Sequence, residues 1–359
     1  MNFNRRITAL RTALKKSHAH AVLISTPINV IYLTGFNSSN AFVLVSADDA
    51  VIITDFRYQA AAETAARIAG VSVHIVDRDP FPGIAAFCQK QRFPSVAFEE
   101  QHLSYSRARS LISLSKKIDW LPVPDWTERI RRIKEPEEIQ AVKYSISVAE
   151  RAYKTLRKSD LLGLAEYEAA DLLEARVKQA AHEAGAQASM SFGTIIAAGP
   201  NASEPHHHVT DAVIKRAQLL KIDFGVNINH YCSDITRMFY FGTPTAQYRK
   251  IYAIVLKAQL NAIKAVNPGA RMCDIDNAAR SIIDNAGYGE CFVHGTGHGL
   301  GMAGAELFGA RPGDTTLAEP GMIITIEPGI YIPGWGGIRI EDDILVTETG
   351  AEILTSLPK

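Results

Sequence analysis

Two pairs of acidic residues in β-type sequence constrain this chain more than any other feature of its 359 residues. The first pair, Asp223 and Asp234, lies in LLKIDFGVNINHYCSDITR, where residues 227–230 are turn formers. Paired residues of an antiparallel hairpin have a constant index sum. A turn centred between Ile228 and Asn229 therefore places the two aspartates opposite each other, with Cβ atoms about 5 Å apart. Buried carboxylates at that separation repel, and one pKa rises sharply unless a cation lies between them.

The second acidic pair lies downstream in TIEPGIYIPGWGGIRIEDD, where a turn centred on Gly334 relates Glu327 to Glu341. Apolar residues flank the acids of both pairs, which predicts buried rather than solvated carboxylates. Between the pairs, FVHGTGHGLG contributes His294 and His298. Its glycines indicate a close-packed turn or strand end rather than a helix. Beside two acidic pairs, one of these histidines becomes a credible metal ligand.

Two aspartates, two glutamates and one histidine form an oxygen-rich ligand set without a thiolate. Such a set suits a pair of divalent ions, either Mn, Co, Fe(II) or Zn. Four carboxylates roughly neutralise two dications and leave room for a bridging hydroxide. Two metals about 3.5–4 Å apart can generate that nucleophile at neutral pH and stabilise a tetrahedral intermediate. The set therefore predicts metal-dependent hydrolysis of an amide-like bond.

The rest of the sequence predicts two domains. In residues 1–124, short apolar runs alternate with helical sequence, which is typical of an α/β domain. Prolines end that pattern, and residues 125–136 are predicted to be a linker. Residues 137–359 mix helical stretches with glycine-punctuated β runs, which indicates an α+β domain with antiparallel hairpins. Its predicted helices lie at about 137–157, 165–184, 247–266 and 273–286.

Composition excludes several classes of protein. Lys+Arg and Asp+Glu both number 38, so the chain lacks the basic excess of a nucleic-acid-binding protein. No apolar run approaches the roughly 18 residues that span a bilayer. Charged residues occupy the amino-terminal stretch where a signal peptide needs apolar sequence. The four cysteines show no CxxC spacing, so we expect neither a disulfide framework nor a cysteine zinc site. The expected location is the cytoplasm, with no nucleic-acid or membrane partner.

The second half closely resembles the superfamily of prolidase, aminopeptidase P, creatinase and methionine aminopeptidase, in the ordered segments IDFG, YCSDITR, HGTGHGLG, ITIEPGIYI and GIRIEDD. The first half, in RRITALRTAL, PINVIYLTGF and ITDFRY, resembles the amino-terminal domain of the prolidase, aminopeptidase P and creatinase branch. The resemblance implies an α/β creatinase/prolidase-like domain followed by a pita-bread catalytic domain. It also implies a homodimer.

The resemblance implies two divalent ions per chain, with manganese expected before cobalt, zinc or iron. Asp234 and Glu341 would bridge both ions, and Glu327 would also act as a proton shuttle. The implied metal ligands are Asp223, Asp234, His298, Glu327 and Glu341.

Three further residues carry over from the resemblance. His206, in SFGTIIAAGPNASEPHHH, matches a histidine that lies beside the metals, whereas His207 and His208 are expected to be loop residues. His294 matches a histidine that lines the substrate pocket. Arg339 precedes Glu341 by two residues and would point to the same strand face. It would serve either as a charge partner of an acidic ligand or as a substrate contact.

The chain departs from the peptidase pattern after the metal histidine. Seven residues on, where the peptidases have a histidine followed by an acid, this chain has Ala305 followed by Glu306. The resemblance assigns that histidine a hydrogen bond to the scissile carbonyl or the intermediate. Loss of a comparable donor costs about 100- to 1000-fold in rate. A milder departure is Val209, where the pattern has proline.

The leading prediction is hydrolysis of the bond before proline in small peptides, by an Xaa-Pro aminopeptidase or an Xaa-Pro dipeptidase. Because of Ala305, two alternatives remain open. One is a non-peptidase reaction on the same fold, either a metal-dependent lyase or an amidinohydrolase-like activity. The other is a non-catalytic binding protein. Retention of all five implied ligands argues against metal-free chemistry and against a binding-only role.

Overall fold

The computed structural model describes residues 1–359, which divide into two compact units, Met1–Arg131 and Arg132–Lys359. The boundary falls within the 125–136 segment that the sequence predicts to be a linker. Part of that segment is a short helix, Trp126–Arg131, rather than irregular chain. No helix in the structure combines the length and the apolar character needed to cross a membrane.

The first unit is built on one six-stranded mixed sheet, which confirms the predicted α/β class. Its strands are β1 (Ala21–Ile24), β2 (Ala41–Ser46), β3 (Ala50–Asp55), β4 (Ser72–Val76), β5 (Ser95–Glu99) and β6 (Asp119–Val123). They are arranged in the order β4-β3-β2-β1-β5-β6. The central three strands form an antiparallel meander, whereas β4, β5 and β6 pair in parallel.

Six helices accompany this sheet: α1 (Phe3–Lys15), α2 (Pro27–Thr34), α3 (Gln59–Ala69), α4 (Pro80–Lys90), α5 (Tyr105–Leu114) and α6 (Trp126–Arg131). Helix α3 ends at Gly70, whose φ of 71° forms the left-handed C-cap that glycine favours. Strand β1 is buried at all four positions, because the sheet is covered on both faces.

The second unit contains four long helices: α7 (Pro136–Leu156), α8 (Glu166–Glu183), α9 (Ala246–Ala265) and α10 (Met272–Asn285). Each begins and ends within one residue of its predicted bounds. Helix α7 starts with a capping box, in which the backbone N–H of Glu135 donates to Glu138 at 2.9 Å. Pro136 occupies its first turn, where a missing N–H costs nothing.

Eleven strands complete the second unit: β7 (Ser189–Met190), β8 (Ile195–Ala198), β9 (Leu219–Phe224), β10 (Val226–Ile228), β11 (Tyr231–Cys232), β12 (Ile235–Tyr240), β13 (Ile323–Ile326), β14 (Gly329–Ile332), β15 (Gly336–Arg339), β16 (Asp342–Thr347) and β17 (Gly350–Ile353). Every ladder among them is antiparallel, as predicted. One apolar cluster packs α7 and α8 against β8, β9 and β12. Another packs α9 and α10 against β13 to β16.

The hairpin of the first acidic pair has a different register from the predicted one. Asp223 pairs with Thr236, and Asp234 lies two residues along on the same face, diagonal to Asp223. The prediction that the two aspartates are directly opposite is therefore wrong. Its cause is the turn: Asn229 and His230 both adopt left-handed φ values, 51° and 70°, and form a two-residue loop one position later than predicted.

The hairpin of the second acidic pair has the predicted register. Ile326 pairs with Asp342, and Gly329 pairs with Arg339. The residue numbers of both pairs have the same sum, so the two ladders share one register. On that register, Glu327 faces Glu341. The turn is centred on the predicted glycine, Gly334, whose φ is 77°.

Candidate active site

One cavity of about 1080 Å³ in the second unit is lined by every residue that the sequence assigns to the site. Strand β9 and the start of β12 supply two acids, and the glycine-rich loop supplies two histidines. The ends of β13 and β15 supply the rest, apart from one residue in the loop after β8. The eight residues are Asp223, Asp234, His298, Glu327, Glu341, His206, His294 and Arg339.

Three of the five predicted ligands form a cluster of metal-binding size. Side-chain atoms of Asp234, His298 and Glu341 lie within 4.8 Å of one another. The Nδ1–H of His298 donates to the carbonyl of Gly299 at 3.2 Å, which leaves Nε2 as the acceptor. That Nε2 lies 3.7 Å from Asp234 and 3.3 Å from Glu327. The imidazole therefore has the tautomer that a metal ligand needs.

The other two predicted ligands lie at the edge of this cluster. One oxygen of Asp223 pairs with the guanidinium of Arg339, while its Oδ1 is buried with no hydrogen-bond partner. Glu327 accepts a hydrogen bond from the hydroxyl of Thr325 at 3.2 Å, and its Oε2 lies 3.8 Å from Nε of Arg339. Both carboxylates therefore retain oxygen atoms that a bound cation could use.

The charge of the cavity fits divalent cations. Burial raises the pKa values of Asp234 and Glu341 well above their ordinary range, and repulsion from the neighbouring acids raises them further. Buried carboxylates of this kind are stable as anions only when cations compensate them. With one imidazole, no thiolate and the unpartnered Oδ1 of Asp223, the set fits hard or borderline divalent ions.

Arg339 acts as a charge partner within the protein. It is 2% exposed, and its guanidinium pairs with Asp223. It also donates to the hydroxyls of Thr236 and Tyr331, both at 3.0 Å. The hydroxyl of Thr236 in turn donates to Glu341 at 2.7 Å. Of the two roles that the sequence leaves open for Arg339, these contacts favour the charge partner over the substrate contact.

His294 is held in one tautomer. Its Nδ1–H donates to the carbonyl of Gly295 at 2.7 Å, and its Nε2 accepts from the hydroxyl of Tyr331 at 2.8 Å. Burial lowers the pKa of this imidazole, which favours the neutral ring. Helix α10 fixes the same loop, because Arg280 donates to the carbonyl of His294 at 2.7 Å and Asp276 accepts from the backbone N–H of Thr296 at 3.0 Å.

The three consecutive histidines have different environments. His206 and His208 are exposed on the cavity wall. His207 is buried, and its ring nitrogens lie 2.8 Å from Glu166 and 3.0 Å from Glu204. These contacts hold His207 within the loop, so its imidazole faces two glutamates rather than the predicted ligands.

The departure at position 305 lies in the same cavity. Ala305 is exposed there, on the cavity that His206 and His208 also line. The carboxylate of Glu306 forms an ion pair with Lys134 at 2.8 Å, and both side chains are buried. The acid of the peptidase pattern is therefore neutralised within the protein, whereas position 305 presents only a methyl group to the cavity.

Sequence reasoning missed the residues that support the predicted site, chiefly Thr236, Tyr331 and Lys221. The register of the second hairpin was a signal for Tyr331, because it places this residue opposite Gly337. A Cβ on Gly337 would lie 2.7 Å from the tyrosine ring, so glycine is needed there. Thr236 was missed because the first register was wrong.

The fold and the acidic cavity are those of a metal-dependent hydrolase, and comparison with known proteins defines the group. Residues 140–348 match metallopeptidase family M24, and residues 6–133 match the creatinase/prolidase N-terminal domain. The chain belongs to metallopeptidase family M24. As a member it is a metallopeptidase that uses divalent metal ions and acts on peptides.

Its relatives include an uncharacterized peptidase of Bacillus subtilis (strain 168), 34% identical over 354 residues, with 99% of this chain and 98% of the relative covered. Two solved structures are also similar. An Xaa-Pro dipeptidase from Bacillus anthracis has a TM-score of 0.94 and 34% identity, covering 100% of this chain and 99% of the other. An X-Pro aminopeptidase from Thermotoga maritima MSB8 has a TM-score of 0.87 and 31% identity, covering 97% and 98%. The predicted prolidase and aminopeptidase P branch is thereby confirmed.

Proposed function

We propose that this protein hydrolyses the peptide bond before proline in small peptides, with two divalent ions bound in the acidic cavity. The observation that carries the proposal is a cluster of buried acids around His298 whose pKa values are raised by burial and by one another. Similarity to an Xaa-Pro dipeptidase and an X-Pro aminopeptidase supports the choice of proline. The proposed ligands are Asp223, Asp234, His298, Glu327 and Glu341.

Manganese is the proposed metal, ahead of cobalt, zinc or iron, because four carboxylates and one imidazole form a predominantly hard ligand set. When bound, the ions would supply Lewis acidity and lower the pKa of water, which provides the nucleophile for hydrolysis. Asp234 and Glu341 would hold the ions most closely, since they are the acids within the compact cluster. The threonine hydroxyl on Glu341 orients that carboxylate.

The other residues have proposed roles in binding and proton transfer. Glu327 holds the proton taken from water and passes it to the leaving imino group of proline, which is general acid–base work for a carboxylate. The Arg339–Tyr331–His294 network keeps His294 neutral at the cavity wall. His206, exposed in the cavity, contacts the scissile carbonyl. It supplies the donor that Ala305 cannot.

The test is release of the first residue from Ala-Pro and Ala-Pro-Ala by protein stripped with a chelator and reloaded with Mn²⁺, Co²⁺ or Zn²⁺. We expect release from both proline peptides that depends on the metal, with Ala-Ala and Ala-Ala-Ala cleaved at least about 100-fold more slowly. Glu327→Gln should lose that activity while remaining folded. No release with any metal would refute peptide hydrolysis, and equal cleavage of the alanine peptides would refute the preference for proline.

Substitution at position 305 tests the replacement of the missing donor. Ala305→His restores the residue of the peptidase pattern in the same cavity as His206. If His206 already supplies the donor, Ala305→His should change kcat/KM little in the natural chain and should restore most of the loss in His206→Ala. A cytoplasmic location and a homodimer stay predictions from the sequence.

A further inference from the structure

Lys221 is a fully buried lysine in the middle of the catalytic unit. It lies on β9, paired with Met238 on one side and Ala197 on the other, and has 0% exposure. Lysine is almost never fully buried without a partner, since its ammonium group loses hydration. The proposed reaction assigns no role to this residue. Its side chain lies on the same strand face as Asp223, two residues along.

The partners of Lys221 are two backbone carbonyls in the loop after β8. Its Nζ donates to the carbonyl oxygen of Glu204 at 2.6 Å and to that of Pro205 at 3.1 Å. Arg339 donates to the same Pro205 carbonyl at 3.0 Å. The ammonium also lies 5.4 Å from the centre of the Tyr331 ring, within the range of a cation–π contact.

These contacts fix the peptide that carries His206. The ring of Pro205 limits its own φ to about −65°, and its carbonyl accepts hydrogen bonds from both Lys221 and Arg339. These two donors therefore fix the plane of the Pro205–His206 peptide. That plane determines the direction in which the His206 side chain leaves the loop.

A hydrocarbon side chain would fill the same space without the cost of burying an ammonium group. It would leave the part-buried Glu204 carbonyl without the Lys221 donor, and loss of a hydrogen bond costs free energy. Because the contacts of Lys221 converge on the two residues before His206, their main structural consequence is the placement of that histidine.

We infer that Lys221 is a positioning residue, which clamps the carbonyls of Glu204 and Pro205 and thereby holds His206 in the cavity. The inference deepens the proposed function and rests on it for the role of His206. The hydrogen bonds of Lys221 go to these two carbonyls and not to the proposed metal ligands.

The test is a double-mutant cycle of Lys221→Met and His206→Ala. Methionine keeps an unbranched stem but donates no hydrogen bond. We expect Lys221→Met to lower kcat/KM by about 10- to 100-fold, mainly through kcat, as loss of an orienting partner does. If Lys221 acts through His206, the double variant should be no slower than His206→Ala alone. The inference would be overturned if the losses of the two single variants multiply in the double variant, or if Lys221→Met is as active as the natural chain. If Lys221→Met does not fold, Lys221→Gln, whose shorter side chain cannot span both carbonyls, takes its place with the same criteria.

Amide hydrogen exchange over residues 199–210 supplies a readout that does not depend on activity. Lys221→Met should raise exchange in this loop, whereas Lys215→Met, the same change at an exposed lysine, should not. Faster exchange in a protein that cleaves no peptide would support the clamp and refute the proposed function. Unchanged exchange would overturn the clamp whatever the activity.

Discussion

The two acidic hairpins of the catalytic unit use their ladders differently. In the second hairpin, Glu327 and Glu341 face each other on the shared register of two ladders. In the first, Asp223 faces Thr236, and Asp234 lies diagonally across. In the first hairpin, the residue opposite Asp223 is therefore a threonine and not a second acid.

That difference joins the two hairpins into one site. The hydroxyl of Thr236 accepts from Arg339 and donates to Glu341, so a residue of the first hairpin orients an acid of the second. The second hairpin has a counterpart in Thr325, which accepts from the backbone N–H of His298 at 3.1 Å and donates to Glu327 at 3.2 Å. Each hairpin supplies two acids and one threonine, and both threonines orient a glutamate of the second hairpin.

The largest expected effect follows removal of an acid from the central cluster. Asp234→Asn should lower kcat/KM by more than about 100-fold. Loss of a residue that only orients a metal ligand costs about 10- to 100-fold, and loss of a ligand should cost more. A carboxyl whose pKa is raised by folding stabilises the fold at low pH, and that contribution is lost as the pH rises towards the raised value. At neutral pH, the amide should therefore raise the melting temperature of the metal-free protein.

Thermal unfolding and kinetics of Asp234→Asn, each with and without Mn²⁺, check both parts of this prediction. Exposed Asp211→Asn is the matched control and should change neither quantity. A metal-free Asp234→Asn protein that melts below the natural chain would contradict the repulsion inferred among the buried acids.

A smaller effect should separate the two threonines. Thr236→Val should reduce Mn²⁺ affinity and kcat/KM by about 10- to 100-fold, because the hydroxyl links a buried arginine to a proposed ligand. Thr325→Val should cost less, since its hydroxyl makes longer bonds, one of them to a neutral backbone N–H. Calorimetric titration with Mn²⁺ would rank the two variants. A larger loss of Mn²⁺ affinity in Thr325→Val than in Thr236→Val would show that the orientation of Glu341 matters less than that of Glu327.

The sequence was sufficient for the class of each unit, for the four long helices of the second unit and for the residues that line the cavity. Periodicity and caps placed the four long helices within one residue, and Gly334 marked one turn correctly. The first turn was misplaced by one position because residues 227–230 all suit a turn, whereas the two left-handed residues are Asn229 and His230. The burial of Lys221 was not predicted, although this lysine lies on the same strand face as Asp223, whose carboxylate the sequence predicts to be buried.

The smallest expected effects concern these two turns. Gly334→Ala should destabilise the unit by about 1 kcal/mol, because its φ of 77° is strained for alanine although no atom crowds the position. His230→Gly should stabilise it by up to about 1 kcal/mol through relief of the same strain. Neither should change kcat. Denaturant unfolding measures both, and opposite signs would contradict the assignment of the two turns.

Calorimetric titration of chelator-treated protein with Mn²⁺, paired with its melting temperature, tests most directly whether the carboxylate-lined pocket exists to hold doubly charged ions. We predict about two Mn²⁺ bound per chain and a higher melting temperature on loading. A folded chain that takes up no divalent ion, and melts at the same temperature with and without one, would contradict the account.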